Sequence, residues 1–133
     1  MRDIIFRAIE YGSTDFVYGD LRRDRIDVCI CDIEGNVGHI VLPETVGQYT
    51  GLKDKTGEMI FEGDILSYVA NSFINHICGE PFKSYISPIR WNEEELCFWV
   101  GLVGTVGFKP DKNTDDGKFE IIGNIHKNKD LLS

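Results

Sequence analysis

Apolar and polar residues alternate along this chain in short runs, each broken by glycine, asparagine, aspartate or proline, which is the periodicity of β-strands rather than of helices. Apolar bursts at 4–8 and 16–18 flank a Tyr11, Gly12, Ser13 break and predict a first hairpin or a pair of edge strands. Residues 25–32 alternate, with Ile26, Val28 and Ile30 on one face and Arg25, Asp27, Cys29 and Cys31 on the other, which predicts a half-buried strand. Gly35 and Asn36 then turn the chain into a strand at 37–42, which Pro43 ends because it cannot donate to a ladder.

The stretch from Thr45 to Leu66 carries the strongest local signal. Leu52 is separated from Met59, Ile60 and Phe61 by Asp54, Lys55, Thr56 and Gly57, a type I turn composition with aspartate first and glycine last. A hairpin-like connection follows from it. The pentapeptide VYGDL at 17–21 is echoed by FEGDI at 61–65, and each is expected to bend a strand at a Gly-Asp corner.

A strand is expected at 65–70, and then periodicity fades over 71–87, which reads as a long excursion or a short helix at 72–77. Phe73, Phe82 and Tyr85 are expected to pack it back on the scaffold. Residues 89–91, an acidic turn at 92–95 and residues 96–100 predict a hairpin, since Trp91, Leu96, Phe98 and Val100 suit strands. A glycine-rich crossing at 101–117 leads to a last strand at 119–122, a bend at Gly123 and Asn124, and a tail with one helical turn.

Composition narrows the class. At 133 residues, 42% hydrophobic and 27% charged, the chain has the make-up of a domain with its own core, and two small lobes are compatible with that length. The formal charge of −8 repels a phosphate backbone, so nucleic acid is disfavoured as a partner; the densest basic run, Arg22, Arg23 and Arg25, is interleaved with Asp20, Asp24 and Asp27. The apolar patch at 4–6 is too short for a signal peptide, and the run 97–104 is far below the roughly 20 residues that span a bilayer as a helix. A soluble intracellular protein with no membrane partner is expected.

Candidate chemistry is sparse. Cys29 and Cys31 lie two apart in a strand, so His39, or His76 with Cys78, would be needed to complete a zinc site; free thiols are the expected state. His39 and His126 lie near strand ends, and Asp64 with Glu62, or Asp20 with Asp54, are turn carboxylates that need no ligand to explain them. No catalytic residue, metal or cofactor is therefore expected. Trp91, Phe98, Trp99 and Tyr49 offer stacking platforms for a nucleic acid, but a sheet core needs such residues as well.

The preferred reading is a non-enzymatic interaction protein that engages another protein, or a second copy of itself, through loops on a rigid β scaffold. Gln48, Tyr49, Thr50, Lys53 and Asp54 are its candidate binding residues, because a glycine-flanked, mixed polar and aromatic loop suits recognition. The same segment could merely pin two lobes together. An acidic mimic of DNA is a minor variant of this reading.

Several segments, FRA at 6–8, YGD at 18–20, VGQYTGLKDKTG at 46–57, EGDIL at 62–66 and IIGNIH at 121–126, resemble the YopX family of small phage and prophage proteins. The resemblance extends over most of the chain; Ile9 and Glu10 and the excursion at 71–87 depart from it. It implies an all-β fold with an N-terminal β lobe at 1–44 and a partly open SH3-like barrel at 45–133, made in the cytoplasm of a bacterial host. It implies no catalytic residues.

Overall fold

Because each run of alternating residues is only three to ten positions long and ends in turn chemistry, the chain pairs locally into antiparallel strands. The computed structural model describes residues 3–23, 25–32, 37–70, 83–94, 96–101, 110 and 118–132. The fold is all-β, in two antiparallel sheets, with no α-helix among the described residues. None of their helical turns is long and apolar enough to cross a membrane. The chain divides into two compact units, Met1–Gly51 and Leu52–Ser133, so the division falls inside a strand and later than the expected break after residue 44.

In the first unit, β1 (Phe6–Ile9), β2 (Phe16–Arg23), β3 (Val28–Cys31) and β4 (Gly38–Ile40) form a meander, and β5 (Gly47–Lys53) pairs with the free side of β1. The expected first hairpin is present, with Arg7 opposite Tyr18 and Ala8 opposite Val17. Register puts Ala8, Val17, Leu21, Val28 and Ile30 on one face, where Ala8, Ile30 and Val41 are buried. Beyond β4 the chain returns to β1: Val41 bridges Glu10, the Leu42 N–H donates to the Ile9 carbonyl at 2.9 Å, and the Tyr11 N–H donates to the Ile40 carbonyl at 2.8 Å. A 3-10 turn at Pro43–Thr45 places the buried Thr45 hydroxyl where it accepts from the Ile9 N–H (2.9 Å) and donates to the Leu42 carbonyl (2.7 Å). That hydroxyl completes the end of β1, since a buried donor left unpaired would cost roughly 1–3 kcal/mol.

One expectation fails here. The strand predicted at 25–32 begins only at Val28, because β2 continues to Arg23 and the two strands need a reversal between them. Ile26 sits in that reversal and is 92% exposed instead of sharing the face of Ile30.

In the second unit the last residues of β5 run through the Asp54 turn into β6 (Met59–Phe61), followed by β7 (Asp64–Ala70), β8 (Lys83–Asn92), β9 (Cys97–Val100) and β10 (Glu120–Asn124). The four-stranded sheet has the order β10-β7-β8-β9. Strand β8 starts six positions before the expected Ile89, so residues 83–87 of the anticipated excursion are strand. Residues 71–82, with Phe73, His76, Cys78 and Phe82, and the crossing at 102–109 and 111–117, lie outside the described residues.

The two halves of β8 have different partners: 83–88 pair with β7 and 89–92 with β9. Pro88 stands at the handover, where a missing N–H is tolerated. Buried Ser87 next to it accepts from the Gly101 N–H at 2.8 Å. Leu52, Ile60, Leu66, Tyr68, Ile89, Val100 and Phe119 form the core, with Tyr68 stacked on Tyr85 and edge-on to Phe119. Tyr85 thus packs inward, as expected. The tail ends in a 3-10 turn at Lys129–Leu132.

Candidate functional site

Of the five residues expected to form a recognition loop, four lie in a strand and only Asp54 lies in a turn. Gln48, Tyr49, Thr50 and Lys53 belong to β5, whose pairing with β1 brings Gln48 opposite Phe6 and lets the Tyr49 N–H donate to the Ile5 carbonyl at 2.8 Å. Their glycines misled: Gly47 and Gly51 look like loop punctuation but are strand residues, Gly51 with a φ of +88°. Alternation then buries Tyr49 to 6% exposure while Gln48 and Thr50 are half-buried. Gln48, Tyr49 and Thr50 fall in the first unit, Lys53 and Asp54 in the second.

Asp54 is buried, at 5% exposure, and its carboxylate is fully engaged in building the turn. Oδ1 accepts from the Thr56 N–H (2.9 Å), the Thr56 hydroxyl (2.7 Å) and the Glu58 N–H (3.0 Å), and Oδ2 accepts from the Ile121 N–H of β10 at 3.4 Å. The Gly57 N–H donates to the Asp54 carbonyl at 3.0 Å and Gly57 takes a φ of +90°, which realises the expected type I turn. Burial acts to raise the Asp54 pKa, but the Thr56 hydroxyl and the N–H groups of Glu58, Thr56 and Ile121 together outweigh it and hold the carboxyl below its ordinary value. The turn also docks on β10 through the Lys55 N–H to the Phe119 carbonyl (2.8 Å) and an exposed Lys55–Glu120 ion pair. Lys53, beside it, is exposed.

The two Gly-Asp pairs have different tasks. Gly63–Asp64 is a corner: Gly63 has a φ of +91°, and the buried Asp64 carboxylate accepts from the Phe61 N–H at 2.8 Å. Gly19–Asp20 is no corner but the middle of β2. Gly19, with a φ of +154°, is required because a Cβ there would sit 1.8 Å from the Cys31 carbonyl oxygen.

Strand register bears on the disfavoured zinc site of Cys29, Cys31 and His39, while His76 and Cys78 lie outside the described residues. His39 lies opposite Ile30, and Cys29 and Cys31 flank Ile30, so the imidazole and the thiols project from opposite faces of the sheet. Cys29, Cys31 and Cys97 are free, and among the described residues no three His, Cys, Asp or Glu side chains converge as metal ligands. His39 instead places Nδ1 2.5 Å from Oε2 of Glu10. Sequence reading missed this partner, because 29 residues separate the two and only the β4-to-β1 return brings them together. A carboxylate on one ring nitrogen fixes the imidazole's orientation, and here it ties the end of β1 to β4. Both side chains are partly solvated, so the tie is a modest one.

His126 belongs to a compact turn after β10. Asn124 Oδ1 accepts from the His126 and Lys127 N–H groups, each at 3.0 Å, and Asn128 Oδ1 accepts from the Asn124 N–H at 3.2 Å. The IIGNIH segment is thereby accounted for as structure: a Cβ on Gly123 would stand 2.7 Å from Asn128 Oδ1.

Comparison with known proteins agrees with this picture. No curated protein matches the chain. The crystal structure of protein EF1440 from Enterococcus faecalis is similar over 100% of both chains, with 25% sequence identity and a TM-score of 0.58. The family profile described as "YopX protein" matches residues 7–133, nearly the whole length over which the segment resemblances run. The chain therefore belongs to the YopX protein family.

Proposed function

We propose that this chain is a non-enzymatic protein-interaction module, encoded by a phage or prophage and working in the cytoplasm of a bacterial host. The observation that carries the reading is a pair of exposed apolar side chains on the first unit's sheet. Tyr18 and Ile40 stand on the face opposite buried Ala8 and Ile30, and both are exposed. Tyr18 lies level with Arg7 and Ile40 level with Cys29 and Arg22, so they are two separate exposed apolar positions on that face, and each is offered as a contact point. The buried polar residues described above support the same reading, since Thr45, Asp54, Asp64 and Ser87 each complete backbone hydrogen bonding.

Register sets half-buried Gln48 and Thr50 on the face opposite Tyr18, and Tyr49 and Asp54 are buried and hold the scaffold, so none of these four belongs to the proposed contact positions. The test is a Tyr18→Thr, Ile40→Thr double variant, which keeps residues suited to strands. It should retain the wild-type thermal midpoint and lose a partner protein that the wild-type chain captures from host cells. Capture of the same partners by both proteins, or turnover of a small molecule by the purified chain, would overturn the proposal.

A further inference from the structure

Two thiols stand side by side on a strand that is paired along both of its edges. Alternation along β3 sends Val28 and Ile30 into the first unit's core and Cys29 and Cys31 to the opposite face. Register with β2 and β4 fixes their neighbours: Arg22 and Ile40 lie level with Cys29, and Asp20 and Gly38 lie level with Cys31. Cys31 is buried, Cys29 is half-buried, and both are free.

Core packing does not account for this pair. A free cysteine ordinarily serves as a small buried hydrophobe, and the side of an antiparallel sheet that faces away from the core is ordinarily polar. Cys29 is on that side and keeps access to solvent. Gly38 leaves room beside the other sulfur, since a Cβ there would stand 3.6 Å from Cys31 Sγ. Any other residue at that position would lie against the thiol.

Spacing limits what the two sulfurs can do. Same-face neighbours in a strand are roughly 6.6 Å apart, whereas a disulfide needs its Cβ atoms about 3.5–4.5 Å apart. The pair therefore cannot close on itself without breaking the ladders that hold β3, but two sulfurs turned toward each other can hold one ion between them. The donor set selects that ion. A structural zinc site takes four ligands, and among the described residues no group of three His, Cys, Asp or Glu side chains could hold a metal. Asp20 is an exposed carboxylate, a hard donor that suits hard cations. Two thiolates alone suit a soft ion that accepts two sulfur ligands.

We infer that Cys29 and Cys31 together bind one soft, thiophilic metal ion of the copper(I) class, held between the two sulfurs on the outer face of β3. Each thiol gives up its proton as a metal–sulfur bond forms, and no oxidation state changes. This inference does not rest on the contact role proposed for Tyr18 and Ile40.

The experiment is an oxygen-free titration of the reduced full chain with copper(I) against the chromogenic chelator bathocuproine disulfonate, for wild type and four single variants. Wild type should take one ion from the chelator, and X-ray absorption should find two sulfur neighbours on it. Cys29→Ser and Cys31→Ser should each weaken binding at least about tenfold. Metal-free Cys29→Ser should keep the wild-type thermal midpoint, which separates lost binding from lost folding. Cys78→Ser and Cys97→Ser, which alter the other two cysteines of the chain, should bind as wild type does. A wild type that takes no copper would overturn the inference, as would an ion with three or four sulfur neighbours. Undiminished binding by Cys29→Ser or Cys31→Ser, or lost binding by Cys78→Ser or Cys97→Ser, would overturn it as well.

Discussion

The two units solve the same problem with unequal means. The second buries a cluster of seven apolar side chains that includes Phe119, whereas the first closes its sheet over Ala8, Ile30 and Val41. Yet the smaller unit holds six of the ten exposed large hydrophobic residues among those described, Ile4, Tyr11, Tyr18, Ile26, Val37 and Ile40. Apolar area removed from water stabilises at about 25 cal/mol per Å². The first unit thus leaves on its surface what the second uses for stability, and this division of labour suits a scaffold that carries a contact face.

The largest effect should come from the larger core. Phe119→Ala removes a side chain 1% exposed and in contact with Tyr68, and should cost about 3–5 kcal/mol in denaturant unfolding, against about 2 kcal/mol for Val41→Ala in the smaller core. Equal losses would remove the distinction between the units.

The paired glycines come next. Gly19→Ala should cost about 3 kcal/mol or more, since the new methyl meets backbone that cannot move aside. Gly63→Ala, where Ile125 lies at an ordinary 3.4 Å, should cost about 1–2 kcal/mol from the positive φ alone.

Asp54 should show itself through pH. Its folded pKa lies below the ordinary 3.8, so its contribution is present in full above that value and is lost as pH falls through the folded pKa. Asp54→Asn should lower stability by about 1–2 kcal/mol at neutral pH and flatten this acid limb in urea titrations. Tyr68 works at the other end: burial first, and then the neighbouring Tyr85, raise its pKa, so its contribution is present below the unfolded value of 10.0 and is lost as pH rises through the folded one. Tyr68→Phe should flatten that alkaline limb. The smallest effect belongs to Tyr18→Thr, which should move stability by less than about 0.5 kcal/mol because the side chain is exposed.

Strands held by local chemistry were the legible part of the fold. The Asp54–Gly57 turn is visible in sequence because its aspartate and glycine act on neighbours two to four positions away. Non-local pairing was not legible. Nothing in residues 83–87 distinguishes a strand from an excursion until β7 supplies the ladder. Nothing in VYGDL shows that its glycine yields to the Cys31 carbonyl rather than bending the chain. The candidate site suffered in the same way, since glycines flanking Gln48–Thr50 suggested a loop where pairing with β1 makes a strand and buries Tyr49. Ile26 shows the converse: its alternation with Val28 and Ile30 is real in sequence and interrupted in space by the β2–β3 reversal.

The inequality of the two cores is tested most directly by native-state hydrogen exchange read peptide by peptide. Peptides from β7 and β8 should exchange only through the slowest opening of the protein, and those from β1 and β3 at least about tenfold faster, through a less costly local opening. Protection in β1 and β3 equal to or greater than that in β7 and β8 would contradict the account.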